Sequence, residues 1–274
     1  MFAPDKPSMR EHLRAGEPIG VFWSVLGSPA LVEVAVEAGP DAVVLDAQHG
    51  LWSRQAIEQV VGTAGRERPI LVRTADGSPR SISEALDSGA EGVIVPLVEK
   101  GEQAAQAVAA ARFPPEGQRS GGGVRPLKSD FGIYYRRAVE RTVVGVMIET
   151  ALGLKNASEI AATPGVDFVL IGTGDLALSL GVASSADPRH QEACDAIFAA
   201  CRKAGMRCAI FTAGAEEAAA MAEKGYVLTV VANDLGVVAA GFSASMKRFR
   251  DRAGAGGGRQ GQAPHGTSQD LRKA

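Results

Sequence analysis

The sequence predicts an α/β fold, a (β/α)8 TIM barrel of eight parallel strands ringed by helices, and three observations lead there. Apolar runs rich in Val and Ile recur eight times along 274 residues, each is followed by a segment with helical spacing, and the runs are continuous rather than alternating. Continuous runs fit strands covered on both faces, as a parallel sheet requires. Eight strand-helix units in about 250 residues have the size of a closed barrel, although a doubly wound open sheet gives the same local pattern.

Taken in order, the first run is IGVFW (19–23), and the segment after it, SPALVEVAVEAG, places Ser28 to cap a helix and Pro29 in its first turn. AVVLD (42–46) and PILVR (69–73) follow, the third run leading into SPRSISEALDSG, which Gly89 closes. The remaining runs are GVIVP (92–96), VVGVMIE (143–149), FVLIG (168–172), RCAIF (207–211) and VLTVV (227–231). Two segments leave this rhythm. The Gly- and Arg-rich stretch 113–141 is long for a connection inside a compact domain and reads as a functional loop or interface element. From Arg252 onward large apolar residues are almost absent, which predicts one barrel domain over residues 1–251 and a disordered tail over 252–274.

With 46% apolar and 22% charged residues, the chain can bury a substantial core, so extended disorder is excluded as its main state. Lys and Arg number 29 against 31 Asp and Glu, which leaves no excess of positive charge for a nucleic-acid backbone. Cys194, Cys201 and Cys208 form no CxxC pair and read as small buried residues in a reducing compartment, Cys194 and Cys201 sharing a core stripe with Ile197. No run is long enough to span a membrane and the first residues lack a signal-type apolar stretch, so the expected location is the cytoplasm, with no membrane partner.

In a barrel of this kind chemistry sits where strands end, and several polar residues fall there. The second run ends in Asp46 and continues into Gln48 and His49; the third ends in Arg73, the fifth in Glu149, and the sixth leads through GTGD to Asp175. Glu149 and Asp175, on neighbouring strand ends, are able to share a hard divalent cation such as magnesium or manganese. The plainer alternative makes each acid a helix cap. Arg73 suits a carboxylate or enolate oxygen; otherwise it forms a salt bridge with Glu149 or Asp175. His49 is the proton-transfer group of this set, unless it is a loop histidine bonded to a carbonyl. His12, His190 and His265 read as solvated surface residues. GTGDL lacks a nucleotide fingerprint and reads as a strand-to-helix turn whose backbone N–H groups approach a ligand carboxylate.

The motifs GSPALVEVAVEAGPDAVVLDAQHG, LVRTADGSPRSISEALDSGAEGVIVPLVE, FPPEGQRS, MIETALGLKN and GVDFVLIGTGDLALSLG, in this order between about Gly16 and Arg250, resemble the HpcH/HpaI aldolase family of metal-dependent class II pyruvate aldolases. The resemblance implies a barrel of the phosphoenolpyruvate/pyruvate-binding type and a homo-oligomer, usually a hexamer, with sites near subunit boundaries. It implies Glu149 and Asp175 as metal ligands for Mg2+, Mn2+ or Co2+, His49 as base, and Arg73 as stabiliser of the enolate. Asp87, in LDSG, resembles the carboxylate that raises the histidine's basicity; as an acid at a helix C-terminus it is oddly placed for its own subunit, so it is expected to serve a histidine across an interface. Arg73, Met147, Thr173, Gly174 and Asp175 are implied to bind substrate, with Asp46 and Gln48 behind them. Gln48 stands where many members have Glu, Met147 where many have Gln, and Thr173 where Pro is common, departures that bear on substrate choice.

The expected reaction is reversible cleavage of a 4-hydroxy-2-oxo acid to pyruvate and an aldehyde. Lys100, Lys128 and Lys155 lie away from the strand ends, so a Schiff-base route has no evident nucleophile. The alternatives are a CoA-ester lyase of the citrate lyase β or malyl-CoA lyase type, and a non-catalytic oxoacid-binding barrel. Leu51, Trp52 and Asn233 are expected lining for the aldehyde half.

Overall fold

A computed structural model describes residues 7–124, 130–184 and 186–256. The elements run α1 (Met9–Ala15), β1 (Ile19–Ser24), α2 (Pro29–Val36), β2 (Ala42–Asp46), α3 (Arg54–Gly62), β3 (Ile70–Arg73), α4 (Pro79–Asp87), β4 (Gly92–Val95), α5 (Gly101–Ala111) and α6 (Phe131–Arg141). They continue with β5 (Val143–Ile148), α7 (Ala151–Lys155), α8 (Ala157–Ala161), β6 (Phe168–Ile171), α9 (Thr173–Ser179), α10 (Pro188–Lys203), β7 (Cys208–Ile210), α11 (Ala215–Glu223), β8 (Leu228–Asn233) and α12 (Asp234–Gly256). All eight strands pair in parallel with their sequence neighbours, and β1 pairs with β8, so the sheet closes into a barrel and the open-sheet alternative is excluded. One compact unit extends to Leu235 and a second begins at Gly236; most of the expected tail, residues 257–274 and with it His265, lies outside the described residues, as does Lys128.

The strands explain why the runs were continuous. One alternate set, including Val21, Val44, Leu71, Ile94, Met147, Leu170 and Val230, fills the barrel interior, while the other, including Val43, Val72, Val93, Val146 and Val169, packs under the helices. Gly145 occupies an inward position that any Cβ would deny to the Phe168 ring. Helix starts follow the sequence signals: Ser28 accepts from the Leu31 N–H and Ser78 from the Ser81 N–H, each just before a first-turn proline. Below the barrel, α1 buries Met9 and Leu13 in the inner cluster, and its Arg10 pairs with Asp167 at 2.8 Å.

The stretch 113–141 is not a loop throughout, since residues 131–141 form α6. Its periodic apolar residues gather with Phe113: the Phe113 and Tyr134 rings meet edge on with centroids 5.5 Å apart, and Phe131 and Tyr134 at 5.9 Å. Cys194, Cys201 and Ile197 share one buried face of α10, and burial pushes the Cys194 thiol up to about 11, the condition of an inert core residue.

Candidate active site

The period-two alternation that fills the barrel also builds its mouth. Continuing the inward set by one step carries Trp23 above Val21, Asp46 above Val44, Arg73 above Leu71 and Glu149 above Met147. Asp46 and Arg73 are direct partners across β2 and β3, and they form a buried ion pair in which Arg73 Nε donates to Asp46 Oδ1 at 3.0 Å and Nη2 donates to Oδ2. The salt bridge that the sequence allowed Arg73 therefore goes to Asp46, and neither Glu149 nor Asp175 takes it. Asp46 also accepts the backbone N–H groups of Gln48 and His49, at 3.0 and 3.1 Å, and the Trp23 indole N–H, at 3.1 Å. Burial alone would raise its carboxyl, but the hydrogen bond and charge of Arg73, with help from His49 and Trp23, hold it below the ordinary carboxylate range.

Glu149 is 1% exposed, and its Oε1 accepts the Leu97 N–H at 2.7 Å. Leu97 presents that N–H from a left-handed conformation, φ 55°, which costs a branched side chain about 1 kcal/mol or more. Burial pushes the Glu149 carboxyl up to about 7 against the Leu97 hydrogen bond, with the negative charge of Asp175 adding to the rise. A buried acid whose charge is disfavoured, with a second acid beside it, suits a hard dication. Gly172, the residue preceding α9, completes the cradle, because any Cβ there would overlap the Glu149 carboxylate. Gln48 Oε1 is buried without a hydrogen-bond partner among the described residues, an acceptor free for a water or substrate hydroxyl. No cluster of three or more His, Cys, Asp or Glu able to hold a metal occurs among the described residues, so a cation here would rest on this carboxylate pair and take its other ligands from water or substrate.

His49 is exposed beside the ion pair, held through its backbone N–H. Thr173, Gly174 and Asp175 form the first turn of α9, and Met147 is buried one inward step below Glu149. Thr150, and not Glu149, caps the helix after β5. Asp87 stands apart: it ends α4, at the opposite face of the barrel from the strand ends, and pairs with Arg119 at 2.8 Å, whose Nη2 also donates to the Tyr134 hydroxyl at 2.7 Å. His190 corrects the sequence reading, for it is 3% exposed and its Nε2 lies 2.9 Å from the Thr173 carbonyl, bracing the turn that carries Asp175. Of the expected aldehyde lining, Leu51 is exposed, while Trp52 is nearly buried and donates to the Ser24 carbonyl at 2.8 Å.

A closed parallel barrel that gathers acids, a guanidinium and an imidazole at the carboxyl ends of its strands has the organisation of a barrel enzyme. The sequence profile of the HpcH/HpaI aldolase/citrate lyase family matches residues 20–240, and the chain belongs to that family; it is a lyase of the aldolase type. It is 36% identical over 233 residues to a 5-keto-4-deoxy-D-glucarate aldolase of Salmonella arizonae, spanning 83% of this chain and 91% of that one. Among solved structures, an HpcH/HpaI aldolase/citrate lyase family protein from Burkholderia cenocepacia superposes with a TM-score of 0.81 at 29% identity, over 88% of this chain and 98% of its own. The protein CitE of Mycobacterium tuberculosis, solved with magnesium and acetoacetate, shares the fold at 22% identity and a TM-score of 0.56, over 80% of this chain and 87% of its own. No described helix is long and apolar enough to cross a membrane.

Proposed function

We propose that the protein catalyses reversible aldol cleavage of a 4-hydroxy-2-oxo acid to pyruvate and an aldehyde with a divalent cation, Mg2+ or Mn2+ and by the same chemistry Co2+, held by Glu149 and Asp175. The observation that carries this reading is the buried, charge-strained Glu149 facing Asp175 in a cradle that Gly172 leaves open, beside an arginine fixed by Asp46. When bound, the cation would polarise the substrate's keto and carboxylate oxygens and draw electrons from the bond to be broken. His49 takes the proton from the C4 hydroxyl, directly or through a water, as the bond between C3 and C4 breaks. Arg73 uses Nε and Nη2 on Asp46, so its remaining N–H groups meet the enolate oxygen where charge develops. The N–H groups at the start of α9 face the substrate carboxylate, Thr173 and Gly174 contribute backbone, and buried Met147 lines the pocket floor without a hydrogen bond to offer. Lys100 and Lys155 are exposed rather than buried in the barrel mouth, in keeping with a route that needs no Schiff base.

The proposal includes a homo-oligomer, taken as a hexamer. Asp87 and His49 lie at opposite ends of one barrel, so Asp87 can support a histidine only across an interface, with Arg119 and Tyr134 holding its carboxylate. Mixing His49→Ala subunits with Asp87→Ala subunits should restore part of the activity; mixed oligomers without recovery would remove Asp87 from the site. The reaction itself is tested by metal-dependent pyruvate release. His49→Ala or Arg73→Ala should each lower kcat/KM about a hundred-fold, about 2.7 kcal/mol of transition-state stabilisation. Cleavage of malyl-CoA in preference to hydroxy-oxo acids would replace the proposal with a CoA-ester lyase. A panel of aldehydes condensed with pyruvate, run with each metal, identifies the second substrate. The location proposed is the cytoplasm, where the three free, buried cysteines stay reduced.

A further inference from the structure

Trp23 is the last inward residue of β1, 2% exposed, and neither the sequence motifs nor the proposed chemistry uses it. A buried indole needs one acceptor for its N–H, and a backbone carbonyl would serve that need alone. Here the N–H goes to the carboxylate that already holds Arg73, at 3.1 Å to Asp46 Oδ2. The face of the same ring lies 5.2 Å from Arg73 Cζ, within cation-π range. Behind it, the Phe211 ring meets the indole edge on, 5.2 Å between centroids at 81°, and stops it from tipping. An ion pair fixes one edge of a guanidinium but leaves the group free to rock about that edge. A ring beneath it fixes the plane.

We propose that Trp23 is a positioning residue for Arg73: through Asp46 and through its own π face, it sets the guanidinium plane so that the unused N–H groups point to where the enolate oxygen forms. The inference rests on the reading of Arg73 as enolate stabiliser. Positioned donors stabilise developing charge because they need no reorganisation during the reaction.

The test is a double-mutant cycle on pyruvate release, with Trp23→Phe, which keeps a ring but loses the N–H, and Trp23→Leu, which loses both. In the wild-type background kcat should fall about 3-fold for Trp23→Phe and about 10- to 30-fold for Trp23→Leu, the span that cation-π energies allow. KM should change less than kcat. In the Arg73→Ala background either substitution should cost less than 2-fold, because the group that Trp23 positions is gone. Losses that multiply in the double variants would overturn the proposal while leaving the reading of Arg73 intact. Wild-type rates in Arg73→Ala would overturn that reading and the proposal together. A readout free of turnover covers a Trp23→Leu that fails to fold: in a Trp52→Phe background, where Trp23 is the one tryptophan of the sequence, pyruvate added to the metal-loaded enzyme should shift its emission, and the shift should vanish in Arg73→Ala. An undiminished shift in Arg73→Ala refutes the coupling.

Discussion

Lowering the pH from 8 to 5 should release the metal from this protein through one carboxyl group. In the folded chain Glu149 sits at about 7 against an ordinary 4.5, a gap that corresponds to about 3 kcal/mol in favour of the protonated form. The sign follows from which state binds the extra proton. The folded apo protein holds the proton on Glu149 where the unfolded chain has lost it, so apo stability is greatest at or below the ordinary carboxylate range and declines as pH rises toward 7. A dication needs the carboxylate, so below pH 7 each ion bound must displace a proton. The apparent Kd for Mn2+ should therefore worsen about ten-fold per pH unit below 7 and level off above it. Titration calorimetry at pH 6, in two buffers of different ionisation enthalpy, should report close to one proton released per ion. Urea unfolding of the apo protein at pH 5 and 8 should show the decline in stability, and Glu149→Gln should abolish it. A Kd that is flat from pH 5.5 to 8 with no proton release, or Glu149→Gln binding Mn2+ as the wild type does, would refute the reasoning.

Asp46→Asn leaves Arg73 buried without its anion and should cost about 3 kcal/mol in urea unfolding; in the wild type this contribution is complete above the ordinary carboxylate range and is lost as pH falls through the lowered value. Gly172→Ala should fold with a loss of about 1 to 3 kcal/mol yet weaken Mn2+ binding at least ten-fold, measured by electron paramagnetic resonance, because the new Cβ takes the space of the Glu149 carboxylate. His190→Leu removes the bond to the Thr173 carbonyl and should cost about 1 to 2 kcal/mol in the same unfolding assay, with weaker Mn2+ binding as the turn before Asp175 loosens.

The strands were legible because parallel strands buried on both faces must be apolar throughout, and Asp46, Arg73 and Glu149 stood out as the polar residues that end such runs. What joins them was hidden. The Asp46–Arg73 pair depends on the register of β2 against β3, which no single run encodes, so the rival partners expected for Arg73 were the wrong ones. Trp23 looked like one more core residue, although its place two positions after Val21 at a strand end was a usable signal. His190 follows Asp187 and Pro188, a surface helix start, and its burial arises from contact with a turn 17 residues away. Residues 131–141 hid a helix because three arginines interrupt the aromatic face that packs on Phe113. Leu97 gave no sign of its positive φ, where a glycine would have.

The seam of the barrel imposes an order on its assembly. Asp234, just past β8, accepts from the Ser24 hydroxyl and from the Val25 and Leu26 N–H groups, across separations of 210, 209 and 208 residues. During vectorial synthesis the loop after the first strand therefore waits, its backbone donors facing water, until nearly all of the barrel has left the ribosome. Only then does the carboxylate arrive that fastens the first strand to the last, and the rim becomes a continuous ring in a late step.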